Sequence, residues 1–152
     1  MRHALASLSV LCLIAALSGC DQAEKADKKA LADAKSKAPT ITCADKAARA
    51  ELPAGFPAGF PLPAGMLVVG SETRSDGRLI VYGVSPDGVK TVLADLQKGL
   101  PAAGYTPKEG EVEEHDAESN WEGHGYRGRW EIREMPGCDA DTSVTVLAQK
   151  QG

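Results

Sequence analysis

AESNWEGHGYRGRWEI, residues 117–132, holds Gly123, Gly125 and Gly128 in the spacing G-x-G-x-x-G. That spacing cradles a pyrophosphate only where it follows a strand and opens a helix inside a βαβ unit. Here Arg129-Trp130-Glu131-Ile132-Arg133 comes next, alternating charged and apolar with the period of a strand, and Pro136-Gly137 arrives before any helix can form. The glycine spacing is therefore accidental. A hairpin turning at His124-Gly125 fits better. It sets Glu122 opposite Arg127, Trp121 opposite Gly128, Asn120 opposite Arg129, Ser119 opposite Trp130 and Ala117 opposite Ile132. Trp121, Trp130 and Ile132 then share one face, and Gly128 leaves room for the Trp121 indole. A slip of one residue sends Trp121 to the other side, so side-chain parity selects this register.

Working outward, Met66 to Thr73 and Arg78 to Ser85 read as strands joined at Ser75-Asp76-Gly77. A two-residue Asp-Gly turn pairs Thr73 with Ile80, Ser71 with Tyr82 and Val69 with Val84. It also brings Gly70 opposite Gly83, a bare patch open to close approach. Ser85-Pro86-Asp87 offers a hydroxyl N-cap, a first-turn proline and an acid for the positive helix end. Val89, Val92, Leu93, Leu96 and Leu100 follow as one apolar stripe, with Pro101 and Gly104 closing the helix. After it come about three strands, the first near Tyr105, the last Thr142 to Gln149. The expected fold is α+β: a single antiparallel sheet of about five strands with one amphipathic helix on one face, in the order ββαβββ. Its single core should contain Val69, Ile80, Tyr82, Val84, Val89, Leu93, Leu96, Trp130, Ile132, Val144 and Val146.

Residues 52–65 repeat Pro-Ala-Gly-Phe and then Pro-Ala-Gly before Met66, which excludes a helix and favours extended polyproline-like chain. Phe56 and Phe60 are the chain's phenylalanines, so this stretch is expected to strap over the core rather than to serve a partner's groove. Asp21 to Ala38 is almost wholly Ala, Lys, Asp and Glu with one leucine, a composition suited to a solvated tether.

The 152-residue chain carries a net charge of −4 and no marked basic patch, which argues against a nucleic-acid partner. Met1-Arg2-His3 is a short positive leader, and Ala4 to Leu17 is an apolar run too short to span a bilayer. It ends in Leu17-Ser18-Gly19-Cys20, which resembles the lipobox of bacterial lipoproteins. The resemblance implies diacylglycerol on the Cys20 sulfur, cleavage before it and acylation of the new amine. Several acyl chains make a stable anchor where one does not. The expected organisation is a lipoprotein signal peptide at 1–19, a tether at 20–42 and a small α+β domain at 43–152. The implied location is the periplasmic side of a bacterial membrane. Asp21 favours the inner membrane, as implied by the family, with the outer membrane as the alternative. Cys12 leaves with the signal and Cys20 carries lipid, so Cys43 and Cys138 remain in an oxidising compartment and are expected to pair. A zinc site is the weaker option, since the C-x-x-C spacing is missing. The order of elements from Met66 to Gln149 also resembles small secreted or lipid-anchored bacterial domains, on generic features that transfer no site.

Glu109, Glu111, Glu113, Glu114, His115, Asp116, Glu118 and Glu122 crowd one stretch and could hold a hard cation. The fixed offsets of a calcium loop are absent, and a solvated acidic edge facing Arg127 and Arg129 is the simpler expectation. No G-x-S-x-G elbow or free thiol nucleophile is present, so no catalytic residue, metal ligand or cofactor is assigned and the chain reads as a non-enzyme. The expected function is a lipid-anchored, non-catalytic interaction or binding module whose partners are the membrane and an envelope protein. The alternative is a small-ligand or divalent-metal binding domain using the aromatic sheet face or the acidic loop 109–122.

Overall fold

His124 and Gly125 both take positive φ, 52° and 76°, as a two-residue turn matched to strand twist requires. Around that turn β4 (Asp116–Gly123) and β5 (Tyr126–Glu134) pair antiparallel, with Trp121 opposite Gly128 and Ala117 opposite Ile132. This is the register that parity selects. The computed structural model describes Lys25, Lys28, Lys29, Leu31 and residues 39–152; the leader, the lipobox and Cys20 lie outside the described residues.

The other elements are β1 (Leu67–Thr73), β2 (Leu79–Ser85), α1 (Val89–Ala102), β3 (Thr106–Val112) and β6 (Thr142–Lys150), with a 3₁₀ turn at Ala44–Lys46. Together they form one antiparallel sheet in the order β1-β2-β6-β5-β4-β3, with α1 crossing a single face. The class is the expected α+β fold, with six strands rather than five. β3 begins beside Tyr105, where a strand is expected, and carries the head of the acidic stretch as an edge strand exposed along its whole length. No helix among the described residues is long and apolar enough to cross a membrane.

Local geometry corrects the first hairpin. Ser75-Asp76-Gly77 is a three-residue turn with Gly77 at φ 80°, closed by Arg74 N–H donating to Arg78 O at 2.8 Å. One extra turn residue shifts the register, so Thr73 meets Leu79, Glu72 meets Ile80 and Gly70 meets Tyr82. A bulge at Val69 then sets Gly83 opposite Val68, and the bare Gly70–Gly83 patch does not form. Met66 lies over Gly83, and Pro39 Cγ sits 3.0 Å from where a Gly70 Cβ would be.

The slip also changes the faces. Leu79 points to α1, while Ile80, Tyr82 and Leu147 form a second cluster on the opposite face with Ile41 and Val69 beside them. The core is therefore double, not single. The α1 side holds Val92, Leu96, Leu100, Trp130, Ile132, Val144 and Val146, with Val89 and Leu93 packed at its border. The far side is covered in part by Leu31, which belongs to a stretch expected to be solvated throughout but is only 2 % exposed.

The helix begins later than Ser85 suggests. Ser85 ends β2, and its Oγ accepts the Asp87 N–H at 3.2 Å, a local hydroxyl turn that precedes the Gly88 N-cap. At the far end Gly104 (φ 81°) donates to Pro101 O and Tyr105 donates to Leu100 O, a left-handed glycine stop.

The Pro-Ala-Gly repeats are turns, not polyproline chain. Phe56, Phe60 and Met66 donate N–H to Pro53, Pro57 and Pro63 O at 3.1, 3.2 and 3.2 Å. Gly55, Gly59 and Gly65 hold the positive φ that a type II turn needs at its third position. These turns drop Phe60 into the core, its ring 5.3 Å from Tyr105 and 4.8 Å from Trp121.

Candidate functional site

Cys43 stands where the chain enters the domain, just before the 3₁₀ turn, and Cys138 lies in the loop from β5 to β6. A disulfide joins them across a sequence separation of 95, with Cα atoms 5.5 Å apart. The β5–β6 loop is shaped by its own backbone bonds: Cys138 donates to Met135 O at 3.2 Å, and Met135 donates to Asp141 O at 3.0 Å. Gly137 at φ 85° and Ala140 at φ 60° make the reversals, and the alanine pays for a conformation that L side chains rarely adopt.

That loop delivers Asp141 to the disulfide. Asp141 is 7 % exposed, and its carboxylate accepts the Ala44 N–H at 2.6 Å, tying the entering chain to the foot of β6 a second time. One ligand atom from each of Cys43, Cys138 and Asp141 lies within 4.8 Å of the others. A cleft of about 580 Å³ opens beside them, lined also by Asp45, Lys46 and Asp139. With the disulfide closed, the sulfurs are bonded to each other and supply no thiolate. Reduction would give two thiolates beside a carboxylate, a donor set suited to a borderline cation such as zinc.

The other sequence-predicted sites come out differently. Trp121 is 1 % exposed and packs against Phe60, and Trp130 is buried in the same cluster; Tyr126 is half-buried, with its hydroxyl donating to Gly55 O at 2.9 Å. A small cleft of about 210 Å³ reaches this face between α1 and β3, with Leu93, Leu100, Pro107 and Trp130 in its lining. Among the described residues the indole N–H groups of Trp121 and Trp130 have no hydrogen-bond partner, so these rings act through packing. Burial raises the Tyr105 phenol above its ordinary pKa, with Tyr126 adding to the effect.

Along the acidic stretch, strand alternation spreads the carboxylates instead of converging them. Glu122 faces Arg127 and bonds Lys108 at 2.5 Å, Asp116 meets Arg133 at 3.5 Å, and His115 meets Glu134. Glu118 receives Arg129 Nε at 3.2 Å and Nη2 more closely, while Asn120 takes Arg129 Nη1 at 3.0 Å. Burial pushes the Glu118 carboxyl up, but Arg129 and Lys28 outweigh it and hold the group below its ordinary value. Among the described residues, three converging His, Cys, Asp or Glu donors occur at the Cys43–Cys138–Asp141 corner and not on this edge.

Sequence reasoning found the cysteines and missed Asp141, whose only signal was its place in Cys138-Asp139-Ala140-Asp141, right before an apolar strand. No family model, no curated protein and no solved structure matches this chain.

Proposed function

We propose that this chain is a non-catalytic binding module of the cell envelope, held on the periplasmic side of a bacterial membrane through lipid on Cys20. The support is the leader followed by Leu17-Ser18-Gly19-Cys20, together with a disulfide of the kind that persists in oxidising compartments. Replacing Cys20 with Ser should leave the precursor uncleaved or release the protein from membranes washed in high salt. A processed Cys20→Ser protein that stays on those membranes would remove the anchor from this reading.

For what it binds, the geometry favours a small ligand, and within that class a divalent metal ion. The observation that carries this is the convergence of Cys43, Cys138 and Asp141 within 4.8 Å beside an open cleft. The site is gated by the disulfide. Closed, it staples the domain; opened by a dithiol, it offers two thiolates and a carboxylate, with a water completing four-coordination. Native mass spectrometry should find one zinc per chain after reduction with a phosphine and none before it. Asp141→Asn should weaken zinc binding at least tenfold. If the reduced protein takes up no zinc, or Asp141→Asn binds as well as the parent, the corner is a staple alone and the ligand is a protein at another surface.

A further inference from the structure

The face of the sheet turned away from α1 is not a bare solvent face. Ile80, Tyr82 and Leu147 make an apolar centre there, and Glu111 and Glu118 stand at its acidic rim. A half-apolar sheet face of this kind calls for a cover. The described cover is Leu31, drawn from a segment that otherwise has almost no apolar residues. One helical turn before it, Lys28 Nζ lies 3.4 Å from Glu118 and 3.7 Å from Glu111. Residues three apart share one side of a helix, so leucine and lysine meet the centre and the rim together. The match is of shape and charge.

We infer that this contact is a latch by which the anchor arm docks on its own domain and sets the domain's distance from the membrane. The docking stands on the contact itself; its consequence for the membrane rests on the lipid reading of Cys20. Undocked, the chain from Cys20 to Cys43 can reach about 80 Å, whereas docking at Lys28 leaves the span from Cys20 to Lys28, about 28 Å at full extension. One leucine and the partly exposed ion pairs of Lys28 hold weakly, so the latch is reversible and loosens with salt. Docked, the domain is held with its outer face toward the arm and its disulfide corner free. Released, it ranges about three times as far.

The test uses the mature lipidated protein on phosphatidylethanolamine–phosphatidylglycerol vesicles. Carbodiimide should join Lys28 to Glu118 or Glu111, and trypsin should cut slowly after Lys29. Leu31→Asp should cut the crosslink yield and speed trypsin cleavage, each by about tenfold, while Leu31→Met keeps both near the parent. Energy transfer from the tryptophans to a headgroup acceptor should fall with Leu31→Asp. Should Leu31→Asp fail to fold, Lys28→Glu takes its place and is expected to speed cleavage a few-fold. A parent protein that gives no Lys28 crosslink while its disulfide and near-UV spectrum are intact overturns the latch. So does a folded Leu31→Asp protein with unchanged crosslinking and cleavage. A protein that crosslinks as expected but leaves the vesicles keeps the latch and loses the lipid anchor.

Discussion

Gly128 shows how much one missing side chain decides. A Cβ there would lie 2.6 Å from Trp121 Cζ2 and closer still to the Leu147 carbonyl oxygen. The indole could shift, but the backbone oxygen cannot move without breaking the β5–β6 pairing. Gly128→Ala should therefore destabilise by about 3 kcal/mol, at the upper end for overpacking, as read by urea unfolding. Titrating residues at this scale set the pH limits of the fold. The Tyr82 phenol is pushed from 10.0 up to about 12, by burial first and then by the Glu72 charge and hydrogen bond. A raised folded pKa means the native state holds the proton more tightly. Its contribution is complete below pH 10.0 and is lost as pH climbs toward about 12. Glu118, held below its ordinary 4.5, has the opposite sign: its contribution is intact above that value and is lost on acidification through the lower folded pKa. Unfolding curves across pH should show both limbs. Tyr82→Phe should flatten the alkaline limb, and Glu118→Gln the acid one.

At the scale of elements, α1 and the turn-rich strap divide the work of covering the sheet. Leu96 is fully buried at the centre of the helix stripe, and Leu96→Ala should cost about 2–5 kcal/mol. Phe60 is the strap's counterpart, packed edge-on or tilted against Phe56, Tyr105 and Trp121. Phe60→Ala should cost about 3–5 kcal/mol by the same measurement and should open a water path to Trp121. Acrylamide quenching would separate the two variants. It should rise with Phe60→Ala, which unseats the strap, and change less with Leu96→Ala, which leaves a closed cavity. Equal quenching would mean the strap does not seal this end of the core.

The whole molecule is stapled at its entrance. A bond across a separation of 95 residues removes denatured-state freedom worth about 4–5 kcal/mol in the chain-entropy picture. Native domains of this size are stable by about 5–15 kcal/mol, so the staple is a large share of the total. Phosphine reduction should lower the urea midpoint by roughly the equivalent amount, and zinc should restore part of it if the reduced corner binds metal. Asp141 adds a second tie at the same place, since its carboxylate holds the Ala44 N–H. A midpoint unmoved by reduction would show that the hydrogen bonds and packing of the β5–β6 loop hold the entrance without the bond.

The amino-acid sequence alone determined those features whose evidence lies within a few residues. Alternation around His124-Gly125 gives the β4–β5 register, and helical spacing gives the α1 stripe. Tertiary structure decided the remainder. β2 reads Leu-Ile-Val-Tyr-Gly-Val-Ser and is buried throughout, so it carries no alternation to say which residues face α1. One extra residue in the Ser75–Gly77 turn then fixed the faces. β3 begins near Tyr105 as the sequence suggests, but it is exposed throughout, so no apolar alternation marked how far it runs into the acidic stretch. The Asp141 convergence and the Leu31 latch join residues remote in the chain. No local pattern encodes such a pairing, because its free energy exists only once the sheet has set the distances.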